Sequence, residues 1–487
     1  MNRRGRHRAR GAAEPSRCIE FVHKSIYAYL LCINDGVWGL SAIPRARGRV
    51  RPADERAALR SARSPVISVV RPVDQEPAER RGRRGGAVPV NDIPKPQDLA
   101  AGIDWLARAR DLAPTIAAAS PRIERERQVT DEVMAALHDA QLFRMTLPRS
   151  LGGGEATAME VVEVMEIVAA ADASTAWCLG QAQGCCYAGA YLAPDAALDI
   201  FGAPDAVLAW GPASRKAKAV AEGDGYRVAG EWMFASGSRH ATWIGAHCPV
   251  YEADGVTPRE AGGRQVVRSM MFPKSDATMV DVWHVMGLRG TGSDNYTVDN
   301  VFVPESRSYR RDNPEDRHVD SALYRIPLLT FYGFAFAGVA MGIARAMLDA
   351  LIALAATKVA GGASAALREN AVIQSKVARA EGKLSSAHVY LIRMLEETWE
   401  TAQRSPDFPL EQRGRLRVAI TNAMDQARQV AEFAYNAAGA TAIFESQPFE
   451  RRFRDMHAVT QQGQAHLSNY EVAGQVLLGL TPRGHRL

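Results

Sequence analysis

A short turn of small residues, Ser236-Gly237-Ser238, is the part of this sequence best suited to hold a ligand. It follows residues 226–234, which alternate in the way that a β-strand does and end in aromatic side chains. At a strand end, glycine lets a planar ligand approach the backbone closely, and a serine hydroxyl can hydrogen-bond to it. An ordinary hairpin end is the alternative, and these residues alone favour neither interpretation.

The surrounding sequence predicts two helical regions with a β-rich region between them. Apolar residues recur every three or four positions in residues 96–205 and 313–487, whereas residues 206–312 contain short β-type runs broken by Gly, Asp and Pro. Gly223-Asp224-Gly225 predicts a hairpin turn before residues 226–234. We therefore expect an α+β fold, mainly α, with a helical domain on each side of a β-domain.

The C-terminal region has the pattern of a helical bundle. Residues 373–395 carry an apolar stripe at alternating spacings of three and four, which needs a partner helix, and residues 423–434 supply a small-residue face. Ile326 to Ala344 is an uncharged stretch barely long enough to cross a membrane. Its glycines and its amphipathic continuation favour a helix buried in a four-helix bundle, so no membrane association is expected.

Charge and cysteine content narrow the functional classes. Residues 1–90 carry 19 Lys and Arg against 8 Asp and Glu, whereas the rest of the 487 residues carry 40 against 46. The basic surplus therefore belongs to residues 1–95, an Arg-, Pro- and Gly-rich extension with a disorder-like composition, and does not indicate a nucleic-acid partner. The six cysteines have neither metal-ligand nor disulfide-framework spacing, so we expect a reduced, cytoplasmic protein without a metal.

Two runs resemble the acyl-CoA dehydrogenase superfamily: GYRVAGEWMFASGSRHATW at residues 225–243 and GLRGTGSDNYTVDNVFVP at residues 287–304. DASTAW at residues 172–177, after a Pro-to-Gly-Gly-Gly loop, resembles its N-terminal domain. The resemblance spans residues 98 to 480, and the first run is more similar to the branch of two-component flavin-dependent monooxygenases. It implies a middle β-barrel between an all-helical domain and a four-helix bundle, and assembly as a homotetramer.

The resemblance also implies which residues contact a flavin. Trp177 would lie against the ring system, and Ser236 would hydrogen-bond near flavin N5. The other implied cofactor contacts are Gly211, Pro212, Ala213, Gly237, Ser238, Lys358, Gly439, Ala440, Gln461 and Gln462. Without the resemblance, the interpretation of Trp177 is a core residue, and that of Lys358 is a solvated lysine at a helix end.

A missing carboxylate decides between the two chemistries of the superfamily. The dehydrogenases need a glutamate to remove the proton alpha to a thioester, but residues 324–343 and 456–470, where the family places it, contain no acidic residue. The motifs that hold the adenylate of FAD are also altered. The resemblance therefore implies reduced FMN (or FAD), supplied by diffusion from a separate flavin reductase. With O2 it would form a C4a-hydroperoxide that oxygenates a small aromatic molecule.

One position departs from the monooxygenase pattern. Gln462 stands where the family has a histidine, and a carboxamide cannot act as a base near pH 7. His240 is the first candidate to substitute for it, followed by His457 and His466. Ser236, His240 and Gln462 are thus the predicted catalytic residues. A divergent acyl-CoA dehydrogenase and a non-catalytic helical scaffold are the alternative functions.

Overall fold

The computed structural model of the chain describes residues 103–405 and 408–482. The predicted extension, residues 1–95, lies outside these residues.

The first described region is helical. Thr157 and Glu160 form a capping box at the start of its third helix, in which the Glu160 carboxylate accepts the Thr157 N–H at 2.7 Å. Asp172 caps the fourth helix by accepting the N–H of Thr175 at 2.8 Å. The helices are α1 (Trp105–Glu126), α2 (Asp131–Asp139), α3 (Ala158–Ala171), α4 (Ala173–Cys185), α5 (Ala188–Tyr191) and α6 (Pro194–Phe201).

The second region is built from strands: β1 (Leu208–Gly211), β2 (Lys218–Glu222), β3 (Gly225–Ala235), β4 (Trp243–Tyr251), β5 (Glu260–Ala261), β6 (Arg264–Gln265), β7 (Val267–Pro273), β8 (Thr278–Val280), β9 (Asp294–Pro304) and β10 (Ser308–Tyr309).

Eight of these strands form one sheet, in the order β10-β7-β4-β2-β3-β9-β8 with β1 paired to β4. The predicted hairpin is present, since β2 and β3 pair antiparallel around Gly223 and Asp224. Strands β10 and β8 end this ladder and are not paired with each other. The two longest strands, β3 and β9, pair antiparallel and carry the candidate site at one end.

The third region is again helical: α7 (Ala322–Arg325), α8 (Leu328–Ala355), α9 (Ala371–Arg404), α10 (Leu410–Ala438), α11 (Glu450–Val459) and α12 (Ser468–Leu477). Helices α8, α9 and α10 are long, and the shorter α11 and α12 pack beside α8 and α10. The predicted apolar stripe of α9 is buried at Leu384, Leu391 and Leu395. This order of helical, β and helical regions confirms the predicted fold class.

Helix α8 is the centre of the helical core. It packs against α3 of the first helical region and against α10 of the second, and most of its residues are buried. It is also the one described helix that is long and apolar enough to cross a membrane, by length and composition. Its burial between other helices is that of a core helix.

Candidate active site

The pairing of β3 with β9 brings the Ser236 turn beside the loop that precedes β9. Ala235 is in register with Asp294, and the N–H of Gly237 donates to the carbonyl of Thr291 at 3.0 Å. Gly237 has a φ of +76°, a left-handed conformation in which glycine is favoured. The turn and the loop therefore meet where the strands end.

A chain of hydroxyl groups crosses this junction. Ser236 Oγ lies 3.0 Å from Trp177 Nε1 and 2.6 Å from Ser293 Oγ. Ser293 Oγ lies 2.7 Å from Thr291 Oγ1, which is 2.9 Å from the carbonyl oxygen of Leu288. All three hydroxyl residues are buried. The chain therefore connects helix α4, the β3 turn and the β9 loop through polar contacts in a dry environment.

The end of this chain fixes the direction of its hydrogen bonds. The Leu288 carbonyl can only accept, so Thr291 donates to it, Ser293 donates to Thr291, and Ser236 donates to Ser293. In this order every hydroxyl proton has an acceptor. Ser236 also accepts the indole N–H of Trp177, which leaves one lone pair on its oxygen. Ser236 is thus set to accept one more hydrogen bond.

Aromatic rings line the helical side of the junction. The Trp177 ring stacks on Phe336 of α8 with centroids 3.8 Å apart and planes 5° apart, and the Tyr332 ring is nearly parallel to Phe336 with centroids 5.5 Å apart. The Tyr332 hydroxyl accepts from Trp210 Nε1 and Gln181 Nε2, each at 3.1 Å. Trp177 is only partly buried, whereas Phe336 and Tyr332 are buried. The site therefore has an apolar, rigid wall made by α4 and α8.

Helix α11 anchors the loop that carries Thr291 and Ser293. A Cβ on Gly287 would lie 2.1 Å from the Arg454 carbonyl oxygen, so the two backbones touch there. Asp455 accepts the N–H of Leu288 at 2.6 Å. Burial raises the pKa of Asp455 to about 7. The hydrogen bond at the start of this loop thus comes from the carboxyl group of Asp455. Among the described residues, no cation is bonded to this group.

The backbone around Gly211 belongs to the strand packing. A Cβ on Gly211 would meet the Met233 carbonyl oxygen at 1.9 Å, so this glycine is needed for the close approach of β1 to β3. Pro212 accepts the N–H of Met233 at 3.0 Å, and Ala213 forms an isolated bridge with Trp232. Both are partly exposed, and their partners Met233 and Trp232 lie three and four residues before Ser236. Residues 211–213 therefore pack beside the part of β3 that leads into the Ser236 turn.

The predicted glutamines lie on a separate loop after α11. Gln461 is exposed. The Gln462 side chain donates to Met424 Sδ at 3.7 Å and accepts the N–H of Gln464 at 2.7 Å. A thioether is a weak acceptor, so little in the described residues holds the Gln462 amide group.

Lys358, Gly439 and Ala440 meet at the far end of α10. The Lys358 ammonium group donates to the carbonyl of Ala438 and to Thr441 Oγ1, the latter at 2.8 Å, and so caps the helix C-terminus. Fourteen residues of helix separate Ala438 from Met424, which is about 21 Å. These residues thus lie far along α10 from Met424, the contact of Gln462, and their predicted roles toward a cofactor stay predictions.

The candidate histidines have different surroundings. Burial lowers the pKa of His240 to about 4, and its Nε2 is buried without a hydrogen bond among the described residues. The charges that act on it include Asp131 of α2 and Lys274, which follows β7. His457 lies 3.7 Å from Glu432, and His466 bonds to Ser468. Among the described residues, none of the three side chains forms a hydrogen bond with Ser236 or Gln462.

The buried carboxylates near the junction already accept hydrogen bonds from other residues of the protein. Asp172 caps α4 and accepts from Ser120, and Asp455 holds Leu288. Among residues 103–405 and 408–482, no carboxylate bonds to Trp177, Ser236 or Gln462. Among the described residues, the arrangement therefore provides hydrogen bonds from hydroxyl and amide groups and an apolar wall.

Sequence reasoning missed several residues of this junction. Thr291 and Ser293 lie inside the quoted run at residues 287–304, but their hydroxyls were not singled out. The signal was present: two hydroxyl residues, two positions apart, follow a glycine loop and precede a strand that pairs with the Ser236 strand. Phe336 and Tyr332 gave no signal, because an aromatic residue in an apolar helix is usually core.

Family comparisons match both helical regions. The family described as "Acyl-CoA dehydrogenase, N-terminal domain" matches residues 106–194, and "Acyl-CoA dehydrogenase, C-terminal domain" matches residues 334–466.

Individual proteins match over most of the chain. An indole-3-acetate monooxygenase from Pseudomonas putida is 29% identical over 360 residues, which is 74% of this chain and 90% of that protein. The oxygenase component of a FADH2-dependent resorcinol hydroxylase from a Rhizobium species is 28% identical over 81% of this chain and all of that protein. The solved structure of XiaF from a Streptomyces species, in complex with FADH2 and glycerol, has a TM-score of 0.73 and 24% identity, and covers 79% of this chain and 97% of that one.

Proposed function

Because this chain belongs to the acyl-CoA dehydrogenase superfamily, in its branch of flavin-dependent monooxygenases, we propose that it is the oxygenase component of a two-component system. In this proposal it takes a reduced flavin and O2 and inserts one oxygen atom into a small aromatic or heteroaromatic molecule. The observation that carries the proposal is the oriented hydroxyl chain, which leaves Ser236 as an acceptor beside Trp177.

The chemistry of these residues fits a reduced flavin. A reduced flavin carries a hydrogen on N5, whereas the N5 of an oxidised flavin can only accept. The free lone pair of Ser236 suits an N–H donor, and its proton is already committed to Ser293. Trp177 offers a planar, partly exposed ring next to it. Ser236 and Trp177 would therefore hold the ring system of FMN or FAD, which supplies the activation of O2 when bound.

The residues of the chain itself perform positioning and exclusion. Thr291 and Ser293 hold the Ser236 hydroxyl in one orientation, and Asp455 holds the loop on which they lie. Phe336 and Tyr332 keep the wall behind Trp177 apolar, which excludes water from the reacting groups. Gln462 would donate a hydrogen bond from its weakly held amide group, without taking a proton.

The partners follow from the proposed chemistry. The resorcinol hydroxylase to which this chain is similar is named as an oxygenase component. We therefore assign a separate flavin reductase to this chain as the source of reduced flavin. The names of its relatives include one arene with a carboxylate, indole-3-acetate, and one neutral phenol, resorcinol. They support an aromatic substrate and leave its charge open.

Assembly and location are further parts of the proposal. Large apolar side chains are exposed near the C-terminal end of the described residues, and a homotetramer would cover them: Ile443, Phe444, Leu477, Leu478 and Leu480. The four described cysteines are buried and free, in keeping with a cytoplasmic location. Light scattering of the purified protein tests the assembly, and a stable monomer at micromolar concentration would contradict it.

One mixing experiment tests the function. The purified protein is loaded anaerobically with reduced FMN or FADH2, supplied by a generic flavin reductase, and mixed with oxygen and a panel of phenols, indoles and thioethers. We expect a product that contains one oxygen atom from 18O2, found by mass spectrometry. Bound oxidised FAD that is bleached by an acyl-CoA would instead favour a dehydrogenase, and no binding of either redox form would favour a scaffold.

A further inference from the structure

Arg417 of helix α10 is a buried cation without an anionic partner. Its side chain is 4% exposed, and among the described residues it forms no ion pair. Its one hydrogen bond from the guanidinium group goes to the side-chain oxygen of Gln464. A guanidinium group carries five N–H donors, so most of its hydrogen-bonding capacity is unused by the described residues.

Such an arrangement costs stability. A buried charge is normally paired, because removing it from water is unfavourable unless an opposite charge compensates. Burial lowers the pKa of Arg417 to about 10, and the neighbouring Arg413 lowers it further by charge repulsion. The side chain nevertheless stays charged at neutral pH. A residue kept at such a cost has a use that the fold alone does not explain.

The position of Arg417 connects it to the proposed active site. Arg417, Ile420 and Met424 lie on the face of α10 that the loop after α11 covers, where Gln464 contacts Arg417 and Gln462 contacts Met424. The seven residues from Arg417 to Met424 span about 10 Å of helix. On the opposing helix α8, a Cβ on Gly333 would lie 3.6 Å from Arg417 Nη1, and Gly333 follows Tyr332 of the aromatic wall. Arg417 and Gln462 thus lie on the same side of α10 and are linked through Gln464, which bonds to both.

We propose that Arg417 binds a carboxylate on the aromatic substrate, so that this oxygenase acts on aryl acids. The inference rests on the proposed function and deepens it. A guanidinium group matches a carboxylate with two parallel hydrogen bonds. Gln464 holds one edge of the guanidinium group and leaves the other for the ligand.

A flavin phosphate is the other anion to consider, and the structure favours the substrate. Lys358, the predicted phosphate contact, lies beside Ala438. Twenty-one residues of helix separate it from Arg417, which is about 32 Å. Gln462, by contrast, bonds to Gln464, which is the partner of Arg417, and Tyr332 precedes Gly333, which lies next to Arg417.

The test compares binding of acids and amides of the same shape. Equilibrium dialysis measures the affinity of the flavin-free protein for 4-hydroxyphenylacetate and its amide, and for indole-3-acetate and its amide. We expect at least one acid to bind about tenfold more tightly than its amide. Arg417→Gln should abolish this preference and leave the amide affinity unchanged. Arg415→Gln removes the same charge from an exposed position, where Arg415 pairs with Glu411 at 2.8 Å, and should keep the preference.

Two further measurements separate the explanations. Arg417→Gln should not lower the melting temperature, because it removes an uncompensated charge, whereas a purely structural arginine would lower it. Affinities for reduced FMN and reduced riboflavin are measured in parallel. If Arg417→Gln weakens FMN but not riboflavin, Arg417 binds the phosphate and the inference is wrong. It is also wrong if wild-type protein binds acid and amide equally, or binds neither.

These readings are independent of the proposed function. Wild-type protein that prefers the acid but binds no reduced flavin would overturn the monooxygenase and keep the anion site. Protein that binds reduced flavin but shows no preference for the acid would overturn the anion site and keep the monooxygenase.

Discussion

The two sides of the candidate site differ in how firmly the protein holds them. At the junction of β3, β9 and α4, each hydroxyl from Ser236 to Thr291 has a partner within 3.0 Å, and Asp455 anchors the loop behind them. On the loop after α11, Gln462 has a sulfur atom and a neighbouring backbone N–H as its partners. The hydroxyl chain is therefore fixed before a ligand binds, whereas the Gln462 side chain can change its conformation.

Under the proposed function, this difference fits what each side would recognise. A flavin ring is invariant, so a rigid acceptor with a fixed direction would suit it, and rigidity lowers the entropic cost of binding. Substrates differ among relatives, so an adaptable amide would suit the substrate side. Changes to the rigid side should therefore have larger effects than changes to the loop.

The largest effect should come from separating the β9 loop from α11. Gly287→Ala puts a Cβ against the Arg454 carbonyl, 2.1 Å away, which forces backbone movement. We expect a loss of about 4 kcal/mol in the free energy of unfolding, measured in urea. Gly382→Ala in helix α9 is the control, since its Cβ would meet nothing within 4 Å. It should stabilise the protein by about 0.5–1 kcal/mol. Equal effects of the two changes would contradict the packing described.

The next effect concerns the pH dependence of the same loop. Burial raises the pKa of Asp455 from its ordinary 3.8 to about 7 in the folded protein. The folded state therefore retains a proton that the unfolded chain releases. This contribution to stability is complete below pH 4 and is lost as pH rises to 7, by up to about 4 kcal/mol. The free energy of unfolding is measured by urea titration at several pH values for the wild type and for Asp455→Asn. From pH 4 to pH 7 it should fall more steeply in the wild type than in Asp455→Asn. Parallel curves for the two proteins would show that Asp455 does not titrate there.

A smaller effect should appear in the selectivity for the flavin redox state. Ser293→Ala removes the acceptor that takes the Ser236 proton, which frees Ser236 to donate to oxidised flavin. The ratio of oxidised to reduced FMN dissociation constants should fall about fivefold to tenfold, by fluorescence titration in air and under argon. Ser275→Ala is the control, because its exposed hydroxyl bonds to Asp276 and not to the hydroxyl chain. An unchanged ratio in Ser293→Ala would contradict the direction of the hydrogen bonds described for the hydroxyl chain.

The smallest effect on stability should come from the adaptable side. Gln462→Ala removes weak contacts with Met424 and with its own chain. The free energy of unfolding should change by less than about 0.5 kcal/mol, while less product forms per reduced flavin consumed. A large loss of stability in thermal melts would show that the loop is as firmly held as the junction.

The sequence predicted the fold well and the site in part. The period of the apolar residues separates α8, α9 and α10 from the β-region, and the Gly223-Asp224 turn places the hairpin, because these are local signals. Trp177 and Ser236 were named together through the resemblance, and the structure brings them to 3.0 Å.

Other features depend on pairing across the chain. The contacts of Ser293 with Ser236 come from the register of β3 and β9, and Asp455 reaches Leu288 from more than 160 residues away. Gly211 is needed for the close approach of β1 to β3, which a single sequence does not show, and its predicted cofactor contact stays a prediction. Arg417 gave no signal at all, since a lone arginine in an amphipathic helix is usually solvated. Nothing in a single sequence shows that a charge will be buried.

The cysteine next to the site has a consequence for the lifetime of the protein. Cys178 follows Trp177 and contacts the Thr291 carbonyl, and burial raises its thiol pKa far above the usual range. Burial also raises the pKa of Cys186 to about 12. Only thiolates react quickly with oxidants. A catalyst that handles oxygen close to Cys178 thus keeps this thiol in its least reactive form, and should pass through many turnovers without oxidation of its buried cysteines.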